Sequence, residues 1–188
     1  MKPVSLALAL TLLAVPAAHA VDGSLMKSYF DANISKWVES EVLVAAVIAQ
    51  NGKTAGYSAA QIEQLDATWR AEVGTSNTPT IDPIVNNAAA DYLRQLVADS
   101  GGAMTEIFVM DAIGLNVAAS SVTSDFWQGD EDKFQKTYPM GPGALHFSEI
   151  EFDESSQTYQ AQISVALTDA NGLVIGAITV GVNADALM

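Results

Sequence analysis

The chain has 188 residues, with 22 Asp and Glu against 8 Lys and Arg, a formal net charge of −14, two His and no Cys. So acidic a chain is a poor partner for nucleic acid or anionic lipid, whose capture rests on clustered Lys and Arg. Without cysteine there is no disulfide framework, thiolate nucleophile or Cys-ligated metal. A hydrophobic content of 49% with 16% charged residues is too apolar for a disordered chain, and the length suits one domain.

The first twenty residues read as an export signal. Lys2 is a short positive region, Val4–Val15 an apolar stretch, and Ala18-His19-Ala20 a small-x-small cleavage site. Cleavage after Ala20 leaves a mature chain from Val21 with seven bases against 22 acids, a net −15. A twelve-residue apolar stretch is too short to cross a bilayer, which takes about 20 residues. The later apolar runs, Val42–Ala49 and Leu173–Val182, have the length of core elements. The expectation is a periplasmic protein with no membrane span after processing.

Residues 21–103 carry helical periodicity. Met26, Phe30, Ile34, Trp37, Val38, Ala45 and Ile48 recur three or four apart, which predicts one long helix of about 25 residues, stopped by Asn51-Gly52. Ser58-x-x-Gln61 is a capping box that opens a second helix, with Ile62, Leu65 and Trp69 on one face and Gly74 beyond its end. Thr75–Thr80 is a polar loop. Asp82-Pro83 then starts a third helix through Ile84, Val85, Ala88, Tyr92, Leu96 and Val97, ending at Ser100-Gly101-Gly102. Trp37 and Trp69 fall on apolar helix faces, as core residues or as a homodimer seam along the first helix.

Residues 104–188 change to period two. Strands are expected at Thr105–Asp111, Leu115–Ser120, Leu145–Phe152, Thr158–Thr168 and Leu173–Val182, the last two joined by an Asn171-Gly172 hairpin turn. A polar, aromatic and Gly-rich insertion, 121–143, separates the second strand from the third. Helices followed by five strands predict an α+β fold with an antiparallel sheet. The small residues Gly176, Ala177 and Gly181 of the last strand suggest close approach by the long first helix.

Two segments carry a resemblance. Ile107-Phe-Val-Met-Asp111-x-x-Gly114-x-Asn-Val-Ala-Ala-Ser120 and Ile163-Ser164-Val-Ala-Leu-Thr-Asp169-x-x-Gly172-x-Val-Ile-Gly176, with a long helix before them and an insertion between, resemble the Cache, or extracellular PAS-like (PDC), sensor domains. The likeness spans residues 25–186. It implies one domain over residues 21–188, with a long N-terminal helix on a five-stranded antiparallel PAS-like sheet. It also implies a small ligand held between the sheet and the insertion. Thr123–Phe134 is similar to a subgroup of small exported proteins built of one such domain. Receptors of the family pass their signal to an output module. The chain ends at Met188, just after the last strand, so the resemblance implies signalling through a separate membrane-bound sensor partner.

A small-molecule site needs apolar walls and a few convergent polar groups. In the insertion, Phe126, Trp127 and Tyr138 are candidate walls, Asp125, Asp130 and Lys133 candidate charges, and Gln128 a donor and acceptor. Tyr159, Gln162 and Ser164 of the fourth strand are candidates for the facing wall. Asp169 stands where related domains hold a carboxylate for a ligand ammonium group, and is equally suited to cap its own turn. The ligand so implied is a small polar metabolite, amino acid-like or amine-like, closed under the insertion in a hollow lined by Trp127 and Asp125.

The run Asp130-Glu131-Asp132 lacks the alternating oxygen spacing of a calcium loop and reads as a solvated helix N-terminus. After processing His146 is the one remaining histidine, and it shares a strand face with Ser148 but not with Glu149. No nucleophile elbow accompanies it. No cofactor, metal or catalytic residue is expected. The second functional reading is a periplasmic protein–protein interaction module, its acidic surface or first helix engaging another protein without any small ligand.

Overall fold

The computed structural model describes residues 23–153 and 157–188, so the export signal expected at 1–20 lies outside the described residues. The helices are α1 (Gly23–Tyr29), continued by a π-helical turn at Phe30–Ile34, then α2 (Glu41–Thr54), α3 (Ala59–Glu72), α4 (Asp82–Val85), α5 (Ala88–Asp99) and α6 (Asp132–Gln135). The strands are β1 (Met104–Met110), β2 (Asn116–Ala119), β3 (Leu145–Phe147), β4 (Glu151–Asp153), β5 (Thr158–Thr168) and β6 (Val174–Asn183). They form one antiparallel sheet in the order β2-β1-β6-β5-β3, with β4 also on β5. This is an α+β, PAS-like architecture, as the sequence predicts.

Four local expectations change. The long first helix is broken at Ser40, which is extended (φ −62°, ψ 143°). The break lets Met26 and Ile34 on one side and Leu43 and Val47 on the other reach the same core. Asn51-Gly52 does not stop α2. The Asn51 amide bridges out of the helix instead, donating to the Ile175 carbonyl at 2.7 Å and accepting from the Ala112 N–H at 2.8 Å. It ties α2 to the β1–β2 turn and to the start of β6.

The third helix is divided at Asn86 (φ −123°, ψ 53°), because Asn87 competes for the backbone. Its side chain accepts from Ala90 N at 2.9 Å and donates to the Pro83 carbonyl at 2.8 Å, capping α5. The predicted third strand is likewise split into β3 and β4. Ser148 N still donates to the Gln162 carbonyl at 3.0 Å, but the return bond from Gln162 N goes to Ser148 Oγ at 2.8 Å, so a side chain takes half of the ladder pair there. The capping box of α3 and the Asn-Gly hairpin form as the sequence predicts.

Strand alternation gives the sheet two different faces. Ile107, Val109, Ile163, Val165, Ile178 and Val180 pack against α1, α2 and α5. On the other face, Phe108, Met110 and Ala177 join Trp69, Ile84, Phe126 and Phe134 in a second core. Register places Glu106, Gly181 and Gln162 in one row across this second face, and Phe108, Thr179, Ser164 and His146 in the next. Close approach at Gly176 is shared between the Met110 carbonyl and Val47 of α2, whose Cγ1 would lie 3.1 Å from a Cβ. Gly181 lies on the face away from α2. A Cβ there would crowd Glu106 Cγ at 2.9 Å and Gln160 Oε1 at 2.6 Å.

Candidate functional site

The insertion folds back over the second face and is tied down by buried hydrogen bonds. Asp66 of α3 accepts from the N–H groups of Phe126 and Trp127 at 2.9 and 3.0 Å. The Trp69 indole donates to the Thr123 carbonyl at 2.9 Å and stacks on Phe126 with centroids 5.1 Å apart. Trp127 pairs with Leu115 as an isolated bridge, and its indole donates to the Ile113 carbonyl at 2.8 Å. Gln128 N donates to the Gly114 carbonyl at 2.8 Å. These bonds tie the insertion to α3 and to the β1–β2 turn, and they leave a concavity between α6 and the β3, β4 and β5 side of the sheet.

A groove of about 500 Å³ runs between α6 and these strands. Glu131, Asp132, Lys133 and Lys136 line its insertion side; His146, Ser148, Glu149, Glu151, Asp153, Gln160 and Gln162 line its sheet side. It deepens into a recess of about 40 Å³ between Glu106, Phe108, Thr123, Ser124, Gln128, Lys133, Asp153 and Gln162. The two spaces share Lys133, Asp153 and Gln162.

Lys133 stands at the junction. Its Nζ donates to Gln128 Oε1 at 3.1 Å, pairs with Glu131 at 3.0 Å and lies 5.2 Å from the centroid of the Phe108 ring. Glu106 is only 4% exposed, and its carboxylate accepts from the amides of Gln160 at 2.8 Å and Gln162 at 3.3 Å. Burial pushes the Glu106 carboxyl above the usual carboxylate range; the Gln160 amide opposes that shift, nearby Asp153 adds to it and Lys133 opposes it. His146 is pushed below its ordinary value by burial and by Lys136, with Asp132 acting in the opposite sense.

Of the residues singled out from sequence, Gln128, Lys133 and Gln162 line this space. Phe126 is core, stacked on Trp69, and Trp127 anchors the insertion, so neither forms a groove wall. Asp125 is held within its own loop, accepting from Gln128 Nε2 at 2.6 Å and Ser124 Oγ at 3.0 Å. The hollow expected between Trp127 and Asp125 is displaced to the far side of Lys133 for this reason. Tyr138 stacks on Phe134 at 5.1 Å. Asp130 is exposed and outside the groove lining. Tyr159 sits on the strand parity opposite to Gln160 and Gln162, is 62% exposed and packs edge-on against Phe152. Ser164 is fully buried and exchanges a hydrogen bond with Thr179 at 3.0 Å.

Asp169 caps its own turn, accepting from Asn171 N at 2.8 Å and Leu173 N at 2.9 Å. The Leu173 N–H holds its carboxyl below the usual range; desolvation opposes that shift, and the Asn171 N–H and amide add to it. A lowered folded pKa stabilises the fold above the unfolded pKa, and that stabilisation fades as pH falls through the folded value. Asp169→Ala is therefore expected to destabilise the protein at pH 7, with the difference from wild type vanishing in acid and ligand response at pH 7 retained. Thermal unfolding across pH, with and without ligand, checks this.

Two acids of the acidic run are paired locally, Glu131 with Lys133 at 3.0 Å and Asp132 with Lys136 at 2.7 Å. Among the described residues, no group of three His, Asp or Glu is placed to hold a metal ion. Ser148 beside His146 is committed to backbone, donating to the Glu149 carbonyl at 2.8 Å.

Sequence reasoning missed Glu106, Gln160 and the β3–β4 acids. Glu106 carries a readable signal, a lone acid in the apolar run Thr105–Met110 on the same parity as Phe108. Gln160 lies two residues from Gln162 and so on its face. Glu149, Glu151 and Asp153 carry none, because their direction depends on the break after β3.

No family model and no curated protein match the sequence. Among solved structures, the chain is similar to the sensor domain of the V. cholerae histidine kinase DctB, at 16% identity and a TM-score of 0.42, covering 88% of this chain and 55% of that one. It is similar to the sensory domain of the Campylobacter jejuni chemoreceptor Tlp3 with isoleucine bound, at 14% identity and a TM-score of 0.42, covering 88% and 63%. A third is an extracellular ligand binding receptor from Desulfohalobium retbaense, at 14% identity and a TM-score of 0.42, covering 81% and 26%. The chain thus spans less than two thirds of the length of each.

Proposed function

We propose that this chain is a periplasmic ligand-binding sensor protein of the Cache type. It takes a small polar metabolite, amino acid-like or amine-like, into the groove between α6 and the sheet and signals through a separate membrane-bound partner. Among the described residues no helix is long and apolar enough to cross a membrane. The observation that carries the reading is the groove floor. Glu106, Gln128 and Gln160 are 4%, 1% and 3% exposed and converge at the recess and groove between a sheet and a separately anchored insertion. Burying amides and a carboxylate is costly unless they are hydrogen-bonded. A fold serving only its own stability would fill this space with apolar side chains, as it does under Phe126. Convergent polar groups in a concavity beside an aromatic face are what a small polar ligand requires.

The signalling step needs a ligand that binds one arrangement of insertion and sheet better than another. The insertion suits that role because α6 carries Lys133 and Lys136 to the groove edge while Phe126, Phe134 and Trp127 hold the rest of the segment in the second core.

Thermal unfolding with a metabolite panel, on protein unfolded and refolded to strip carried-over ligand, tests the reading. A ligand at 100 times its Kd adds about 2.7 kcal/mol, which raises the midpoint of a chain this size by roughly 5–10 °C. A groove-filling Gln162→Trp variant should fold and lose that rise. No shift with any compound overturns the proposal. The exposed pair Phe152 and Tyr159, with centroids 5.3 Å apart on the sheet edge beside the groove, favours a second reading as a protein contact surface. In that case Tyr159→Ser impairs partner capture while no metabolite shifts the midpoint.

A further inference from the structure

We infer that the deep end of the groove is a seat for an organic cation, a primary amine, which Lys133 fills with its own ammonium group and from which the ligand displaces it. The inference rests on the ligand-groove reading and adds the charge class of the ligand and the residue that moves.

Everything in contact with Lys133 Nζ is what an ammonium ion prefers. Gln128 presents a carbonyl oxygen at 3.1 Å, Glu131 a carboxylate at 3.0 Å and Phe108 its ring, with the centroid 5.2 Å away. Aromatic faces and acceptor oxygens stabilise cations, more so when partly desolvated, and the Lys133 side chain is only 15% exposed. Glu106 lies on the floor of the same recess. Among the described residues no Lys or Arg stands within ion-pair distance of it, so a buried carboxylate faces this space with only amide partners.

The opposite assignment, a carboxylate ligand on Lys133, meets the wrong field. Glu106, Glu131, Asp132, Glu149, Glu151 and Asp153 line the two spaces against Lys133 and Lys136, six acids against two bases for a net −4. Lys136 is engaged with Asp132 at 2.7 Å on the exposed rim. An anion entering the recess would approach Glu106 and Asp153 to reach one lysine already balanced by Glu131. An amine finds the reverse: it takes over the contacts of Lys133 and gains Glu106. Lys133 can leave, because a flexible four-carbon stem can carry its charge out to solvent.

The sign of one substitution separates the two assignments. Calorimetric titration of wild type, Lys133→Met and Glu106→Gln uses butylamine, 1,4-diaminobutane and 1,5-diaminopentane, with succinate and glutarate as anions of matched length. At least one amine should bind wild type. Removing the competing ammonium should tighten it about tenfold, and removing the Glu106 charge should weaken it about tenfold, as expected for partly buried charge pairs. A Lys133→Met protein that binds the amine more weakly, or a dicarboxylate that binds and is lost in Lys133→Met, overturns the cation seat and leaves the ligand groove standing. If no compound of either class binds any of the three proteins, the cation seat is overturned, and the metabolite-panel unfolding test decides the groove reading separately. Glu106→Gln keeps the test decisive if Lys133→Met does not fold: unchanged amine affinity in that variant overturns the inference by itself.

Discussion

Replacing Trp69 by Ala is expected to lower the unfolding free energy by about 3–5 kcal/mol, the range for a fully buried large aromatic. Trp69 has 0% exposure, its ring stacks on Phe126 and its indole N–H is donated to the Thr123 carbonyl at 2.9 Å. The substitution removes the packing between α3 and the insertion, the stacking contribution and a buried donor together. Against a typical total of about 5–15 kcal/mol this is a large fraction. Urea unfolding measures it. Trp37→Ala is the control and should cost clearly less. That indole is half-buried at the edge of the first core and donates to the Asn33 carbonyl one turn earlier, so its hydrogen bond ties no second element. Equal costs for the two variants would contradict the anchoring role given to Trp69.

The second large effect is expected at Gly114, in the turn between β1 and β2. Its φ is +86°, and a Cβ there would stand 2.5 Å from Gly129 Cα and 2.7 Å from Gly129 N. Both neighbours are backbone of the insertion, so nothing flexible can yield. Backbone strain of about 1–3 kcal/mol adds to an overpacking cost of about 1–3 kcal/mol, and Gly114→Ala should lose roughly 3–5 kcal/mol in all. Gly172 is the comparison, with φ +77° and no atom within 4 Å of a built Cβ. Gly172→Ala should show the conformational cost alone, about 1–2 kcal/mol. The difference between the two reports the contact that seats the insertion on the turn. Gly114→Ala should also blunt ligand response in whatever fraction stays folded, whereas Gly172→Ala should not.

Much of this fold is legible in the residue pattern because one period dominates each half. Thr158–Thr168 and the last strand alternate against two different faces, and their ends are set by Asx and Asn-Gly turn chemistry that acts locally. The misread boundaries are places where a side chain competes with the backbone. Asn51, Asn87 and Ser148 each bond a backbone group of a distant segment. Their type announces a cap or a stop, but which backbone they satisfy is decided by tertiary contact.

The candidate site was legible by region more than by residue. An insertion mixing aromatics, amides and charge is a fair pointer to a cleft. Yet aromatic side chains in such a segment are as useful for pinning it down as for lining a cavity, and Phe126, Trp127 and Tyr138 serve the packing here. What remains to face the groove is Lys133 and its acidic neighbours. Glu106 and Gln160, bonded to each other on the sheet side of this space, lie 54 residues apart in sequence, and only sheet register brings them together.

The central claim is that ligand enters between α6 and the β3–β5 side of the sheet. Amide chemical-shift mapping, with the compound that raises the thermal midpoint most, tests it directly. The predicted result is a continuous set of perturbed amides at residues 128–136, 146–149, 160–162 and Glu106, with 169–173 unmoved. A second concavity lies between residues 73–85 and Val122–Ser124; perturbation centred there instead, or spread with no focus, would contradict the account.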